Sequence, residues 1–186
     1  MVRPGPRPRR RQEPHVADAR PANLEGQGGV TLADLAWAIK RHNPDRIVVG
    51  EVLGEEVMVM LEAAGQGVAG AICTMHAKSS YRVFGRMVHY AQLGQPNVTP
   101  AFVMDTAADA LDLVVYLDRT PDGRRVVSEI THVRDYDAHA QHVVADQWYV
   151  PGPDRAAIRN RTSPIPAKVV DELVDHGYVP SLGAPW

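Results

Sequence analysis

Two apolar segments of the sequence each lead into a side chain that can take part in catalysis. The run Ile47–Val49 is followed by Gly50 and Glu51, and a second run that begins at Ala71 leads to His76. A short apolar run bounded by turn residues is typical of a buried strand in a parallel sheet. Ligands of open α/β sheets bind outside the carboxyl ends of the strands, so Glu51 falls where chemistry is usually done. An acidic residue after a buried strand is also common in a purely structural role.

The segment between the two runs predicts how they are placed. Residues 54–70 combine a helical pattern with a glycine-rich return, so the three pieces form a βαβ unit with a right-handed crossover. Glu51 and His76 would then lie at the same edge of one sheet. Gly50 has no side chain, which would let another backbone or a ligand come close.

Several blocks, in this order and spacing, resemble the secretion and pilus-assembly ATPases of the type II/type IV secretion superfamily. The blocks read NPDRIVVGEV, then QG-x-x-G, then T-x-HA-x-SS. The branch most similar is the tight-adherence pilus ATPase in its actinobacterial form, and the resemblance runs from about His15 to the C-terminus. It implies an α/β fold: a partial RecA-like P-loop NTPase core with a mostly parallel sheet flanked by helices, followed by an antiparallel β arm and a terminal helix.

The resemblance also implies the roles of five residues. Gly50 and Glu51 would form the Walker B element, in which Glu51 holds the attacking water and the Mg²⁺ shell. His76 would sense the γ-phosphate with support from Thr74, and Glu51 and His76 would be the catalytic pair. Gly50, Thr74 and Arg20 would contact the nucleotide or its phosphates, although Arg20 is equally well explained as an exposed arginine in a loop. The cofactors implied are ATP and Mg²⁺.

One motif of the family is missing from the sequence. Nowhere does it contain G-x-x-x-x-G-K-[ST], the Walker A loop that cradles the phosphates of ATP. We therefore expect the C-terminal part of an ATP hydrolase that is inactive alone, whereas the intact family member couples ATP hydrolysis to secretion or pilus assembly. The alternative is a non-catalytic module that binds full-length ATPase subunits or the inner-membrane platform protein. The family's assembly is a homo-hexameric ring on the cytoplasmic side of the cell membrane.

Composition and simple motifs narrow the other classes of protein to which the chain could belong. The 186 residues are 45% apolar and 23% charged with a net charge of -2, which is ordinary for a globular domain and gives no case for nucleic-acid binding. The sequence contains no run of 18 or more apolar residues, so no membrane span is predicted. It also has no apolar segment near its start that would predict a signal peptide. The single cysteine, Cys73, cannot form an internal disulfide. Without HExxH or CxxC, a zinc site is disfavoured. A serine hydrolase is disfavoured too, because no nucleophile-elbow sequence surrounds Ser79 and Ser80.

The chain divides into three expected regions. Residues 1–14 are rich in proline and arginine and are expected to be a disordered leader, with a basic binding arm as the alternative. Residues 15–150 would be the ATPase part, and residues 151–186 a C-terminal loop and helix. Periodicity and capping residues predict helices over 31–42, 55–64, 79–92, 99–111 and 164–176, strands over 113–117, 125–133 and 141–148, and a loop over 152–163. Ala64, Phe102, Val169, Leu173 and Val174 are expected to pack inward.

Overall fold

The computed structural model describes residues 16–42, 44–65 and 70–177. The predicted disordered leader and the predicted turn over 66–69 lie outside these ranges. The helices are α1 (Leu32–Lys40), α2 (Glu56–Gly65), α3 (Arg82–Gly94), α4 (Pro100–Ala110) and α5 (Ala167–Asp175). The strands are β1 (Ile47–Val49), β2 (Ala71–Cys73), β3 (Leu113–Arg119), β4 (Arg125–Asp137), β5 (His142–Pro151) and β6 (Ala157–Arg159).

The predicted βαβ unit is confirmed. Strands β1 and β2 pair in parallel, with Val48 opposite Ile72, and α2 lies between them in the chain. The expectation that both strands are buried is wrong, because the side chains of Val48 and Ile72 are 71% and 64% exposed. Among the described residues this sheet has two strands, and the core covers only the face that carries Val49 and Cys73. A parallel strand is fully buried only when both of its faces are covered.

Capping residues set the starts of α1 and α4 as the sequence predicts. Thr31 and Asp34 form a complete capping box at α1, in which the Thr31 N–H donates to Asp34 Oδ2 at 2.8 Å and the Asp34 N–H donates to Thr31 Oγ1 at 3.0 Å. Thr99 accepts from the Phe102 N–H at 3.2 Å, and Pro100 occupies the first helical position of α4. These local hydrogen bonds satisfy helix N–H groups that have no partner within the helix.

The core is built from α2, α3 and α4 against β4 and β5. Helix α2 contacts α1, α3 and α4, so its buried surface is wider than one stripe. Met58 and Ala63 are buried, whereas Ala64 is only half-buried, which corrects the predicted packing of α2. The other fully buried apolar residues of the core include Val52, Val57, Leu61, Phe84, Met87, Ala91, Val103 and Ala107.

The second sheet is antiparallel, in the order β3-β4-β5-β6. Residues 120–123 form the turn between β3 and β4: Gly123 has φ +88°, and its N–H donates to the Thr120 carbonyl at 2.8 Å. The predicted loop over 152–163 is wrong in part, because β6 lies within it and pairs Ile158 with Val150. A three-residue strand has no alternation to reveal it in the sequence, and pairing with β5 stabilises it.

Two helices expose residues that were expected inside. Phe102 of α4 is exposed because Val103 and Ala107, one helical turn apart, form the buried face. In α5, Leu173 and Val174 are exposed, Val169 is only half-buried, and no residue is buried. Helical periodicity predicts an apolar face but does not show that another element covers it. None of the helices in the described ranges is long and apolar enough to cross a membrane.

Candidate functional site

Two hydrogen bonds join the chain segments that follow β1 and β2, just beyond the last paired residues of these strands. The Val52 N–H donates to the Thr74 carbonyl at 2.9 Å, which continues the contact between the two segments past β1 and β2. In the other direction, the Thr74 hydroxyl donates to the Gly50 carbonyl at 2.5 Å. Residues 50–52 and Thr74 are therefore held side by side.

Glu51 and His76 meet at this edge. Their side chains are joined by a contact of 2.9 Å between His76 Nε2 and Glu51 Oε1, and they remain 82% and 43% exposed for His76 and Glu51 respectively. At this distance the two side chains form an ion pair when the imidazole is protonated. The next residue, Val52, is completely buried, which anchors the segment while Glu51 stays accessible to a ligand.

Glu56 fixes the loop that follows the carboxylate. Its Oε1 atom accepts from the N–H groups of Leu53 at 2.6 Å and Gly54 at 3.0 Å. The sequence predicts an acidic first turn for α2 but not this function of Glu56. The sequence did contain a signal for it. Glu56 lies three residues after Leu53, which is the spacing between the two residues of a capping box.

Arg20 does not join this group in the structure. Its Nε–H donates to the Gly28 carbonyl at 3.0 Å, and its backbone forms an antiparallel bridge with Val30. The arginine thereby closes its own loop over 20–30. Its expected phosphate contact remains a prediction.

Gly50 does not provide the close backbone approach that was expected. A Cβ atom at this position would meet no atom of the described residues within 4 Å. The position is therefore open on the side where a side chain would point, and the part of the prediction that concerns a ligand remains untested.

The residues at this edge fit a magnesium ion held mostly by water and phosphate. Mg²⁺ is usually bound through one or two carboxylates together with substrate phosphates, and it keeps several waters. Glu51 offers one carboxylate, and its Oε2 atom is engaged by no hydrogen bond within the described part of the chain. No cluster of three or more His, Cys, Asp or Glu that would enclose a metal occurs within 16–42, 44–65 and 70–177.

Cys73 is adjacent to the site but is not suited to be a nucleophile. Burial raises the pKa of its thiol, so the thiolate that would react is disfavoured near neutral pH. Glu51, Thr74 and His76 are therefore the candidates for chemistry at this edge.

The fold has a counterpart among solved structures. It resembles the crystal structure of the VirB11 ATPase from the Brucella suis type IV secretion system in complex with sulphate, with a TM-score of 0.51 and 27% sequence identity. The match covers 54% of this chain and 31% of the VirB11 chain. The fold class is therefore α/β with part of a RecA-like core, as the sequence predicts.

The family follows from the sequence match. Residues 12–145 match the family model described as "Type II/IV secretion system protein". This match covers more than half of the chain, so the protein belongs to the type II/IV secretion system protein family. The predicted superfamily is confirmed, and with it a relationship to secretion-system ATPases.

Relatives in bacteria carry names from conjugation. A Mycobacterium tuberculosis (strain H37Rv) protein named "Putative conjugal transfer protein" is 37% identical over 140 residues, which cover 74% of this chain and 39% of that protein. Conjugal transfer protein TrbB of Rhizobium radiobacter is 28% identical over 114 residues, which cover 61% of this chain and 34% of TrbB. The chain thus spans well under half of the length of these relatives.

Proposed function

We propose that this chain is the C-terminal part of a secretion or pilus-assembly ATPase and supplies one wall of its nucleotide site. The observation that carries the proposal is the 2.9 Å contact between His76 and Glu51 at the carboxyl ends of two parallel strands. In family terms Glu51 is the Walker B carboxylate and His76 belongs to the histidine box. The proposed branch is the tight-adherence pilus ATPase in its actinobacterial form.

The proposed chemistry is phosphoryl transfer, in which the protein contributes positioning and electrostatic stabilisation rather than a covalent intermediate. ATP with Mg²⁺ supplies the phosphoryl group. Glu51 orients water and the magnesium shell, and His76 contacts the γ-phosphate. Thr74 holds the His76 segment against Gly50, and Arg20 contacts a phosphate. The working assembly is a homo-hexameric ring at the cytoplasmic face of the membrane, beside the inner-membrane platform protein.

The chain by itself is proposed to bind nucleotide weakly and to hydrolyse it negligibly. The reason is the absence of the Walker A sequence, whose backbone N–H groups, lysine and hydroxyl supply most phosphate and Mg²⁺ contacts in P-loop enzymes. Glu51 and His76 alone leave those contacts unmade.

Two measurements test the proposal. First, an antibody raised against residues 152–177 gives the mass of the native polypeptide, to be compared with 20.4 kDa for this sequence.

Second, magnesium-dependent phosphate release from ATP is measured for the native polypeptide and for this chain, each with the E51Q variant. E51Q is expected to lower turnover by at least about a hundredfold where turnover exists, as for other preorganised electrostatic groups. Turnover by the short chain that E51Q abolishes would show that this chain is active, and turnover of the native polypeptide that E51Q leaves unchanged would refute the role of Glu51.

A second candidate function is supported by the open face of the two-stranded sheet. Val48 and Ile72 lie opposite each other and are largely exposed, as surfaces that bind a partner often are. In this alternative the chain is a non-catalytic module that binds full-length ATPase subunits or the membrane platform. Co-purification with a complete ATPase subunit, lost in a V48K/I72K variant, would favour this alternative, whereas a monomer that never binds such a subunit would exclude it.

A further inference from the structure

A buried hydrogen-bonded cluster lies at the far end of the segment that carries His76. Glu129 of β4 accepts through its Oε2 atom from the Ser80 N–H at 3.0 Å and from the Ser80 hydroxyl at 2.5 Å. The Ser80 hydroxyl also contacts the Thr131 hydroxyl at 2.7 Å. The three residues are 1%, 7% and 0% exposed for Ser80, Glu129 and Thr131 respectively.

The proton arrangement of the cluster follows from its chemistry. A hydroxyl has one proton, and that of Ser80 is donated to Glu129, so the Thr131 hydroxyl donates to Ser80. Hydrogen bonds to a charged group are stronger than neutral ones, and a buried carboxylate needs them to offset its desolvation. Ser80 lies just before α3, where the positive end of the helix dipole also favours a carboxylate.

The cluster makes the segment 74–80 a loop that is held at both ends. At its start, Thr74 is bonded to Gly50 and Val52 beside β1. At its end, Ser80 is bonded to Glu129 of the antiparallel sheet. His76 lies between the two attachments, and its own side chain is 82% exposed, so packing does little to orient it.

We propose that Glu129 is a positioning residue for His76. By holding Ser80, it fixes the end of the loop whose middle must place the imidazole against Glu51. It also joins the site at the edge of the parallel sheet to the antiparallel sheet, 49 residues away in sequence. The inference rests on the proposed function, because it concerns the same Glu51–His76 pair.

The test is nuclear magnetic resonance of the isotope-labelled full 186-residue chain, without nucleotide. We compare wild type with E129A, E129Q and S80A, and use S128A, a neighbouring buried residue of β4, as the matched control. In E129A the Ser80 amide is expected to exchange its proton faster by on the order of tenfold to a hundredfold, as for loss of a hydrogen bond to a charged group. The side-chain nitrogen signals of His76 are expected to shift, a change that general loss of stability would not cause.

The other variants make the test specific. E129Q keeps an oxygen acceptor for the Ser80 N–H, so it is expected to restore most of the wild-type His76 signals. S80A removes one of the two bonds and is expected to shift those signals less than E129A does, whereas S128A is expected to leave them unchanged. Signals of α4 report whether each variant is folded.

The inference fails if folded E129A or folded S80A keeps the wild-type His76 signals, or if S128A shifts them equally. If E129A does not fold, S80A decides the outcome. Because no step of this test uses ATP, its result is separate from that of the ATPase assay on E51Q. A chain without nucleotide function can still confirm the position of His76, and an active ATPase can still refute the role of Glu129.

Discussion

At the scale of single residues, the sequence predicts one contact of the site and misses another. Glu51 and His76 follow two strands joined by a helix, and parallel pairing brings the ends of such strands to one edge, so their proximity is predictable. Ser80 and Glu129 belong to different units, and no local pattern indicates that a loop residue meets the middle of β4. Their contact depends on how the loop before α3 packs against β4, which a single sequence does not reveal.

The Glu51–His76 contact and the Thr74–Gly50 hydrogen bond are expected to differ in their effect on stability. H76A removes an exposed charge contact, so it should change the free energy of unfolding by less than about 1 kcal/mol. T74V removes the hydrogen bond to the Gly50 carbonyl and should cost about 1 kcal/mol. Urea denaturation followed by circular dichroism measures both. A larger loss for H76A than for T74V would contradict the view that Thr74, rather than His76, holds the two segments together.

Cys73 should react slowly and should make stability depend on pH in the alkaline range. Burial raises the pKa of its thiol in the folded state, so the folded chain keeps a proton that the unfolded chain loses. The stabilisation is complete below the ordinary thiol pKa and is lost as the pH rises through the raised folded value. Alkylation by iodoacetamide is expected to be slower in the folded chain than in concentrated urea, and C73S should flatten the alkaline decline in stability. Equal alkylation rates in the two states would refute this expectation.

At the scale of elements, starts of helices were predictable where a side chain caps them, and outer surfaces were not. Residues close together in the sequence form the capping box of α1 and the Thr99-Pro100 start of α4. The exposed face of α5 and the short strand β6 depend on neighbours from elsewhere in the chain. Periodicity therefore gives the type of element, and tertiary packing decides what each element buries.

The capping box of α1 should be sensitive to mutation and to acid. T31A removes the acceptor of the Asp34 N–H and is expected to cost about 1 kcal/mol in unfolding free energy. Hydrogen bonds from the Thr31 N–H and hydroxyl to the Asp34 carboxylate lower the pKa of Asp34, so the stability that these two bonds add is present above the ordinary carboxyl pKa and is lost as the pH falls through the lowered value. T31A removes the hydroxyl bond of the two, so part of its cost is expected to disappear in strong acid. Urea denaturation at neutral pH and in strong acid measures the difference between T31A and wild type. A difference that is unchanged in acid would contradict the role of the Asp34 carboxylate.

Truncation of a leucine should lower the unfolding free energy much less in α5 than in α2. L173A removes an exposed side chain and should change the unfolding free energy by no more than about 0.5 kcal/mol. L61A removes a fully buried side chain of α2 and should cost about 2–5 kcal/mol. Urea denaturation of both variants makes the comparison. A large loss for L173A would mean that α5 is covered in solution.

At the scale of the whole molecule, apolar surface remains on one face of the parallel sheet. Val48 and Ile72 expose adjacent apolar side chains, and exposed strands with such surfaces favour association. The isolated chain is expected to aggregate at high concentration, and V48K/I72K is expected to reduce this without changing the circular dichroism spectrum. Light scattering against protein concentration measures the effect, with V103K, which places a charge in the core, as the destabilised control. Equal scattering by wild type and V48K/I72K would show that another surface governs association.

The burial of Val52, just beyond the end of β1, has a consequence for which sequence changes the chain can accept. Glu51 faces outward and Val52 is fully buried, in a segment that is bonded directly to Thr74. Because Val52 is held in the core and its N–H is bonded to the Thr74 carbonyl, inserting or deleting one residue between 47 and 51 would break this hydrogen bond or displace Glu51 from Thr74 and His76. The length of this segment is therefore more constrained than its composition: Val48 can be exchanged for many residues, but the number of residues before Glu51 cannot change.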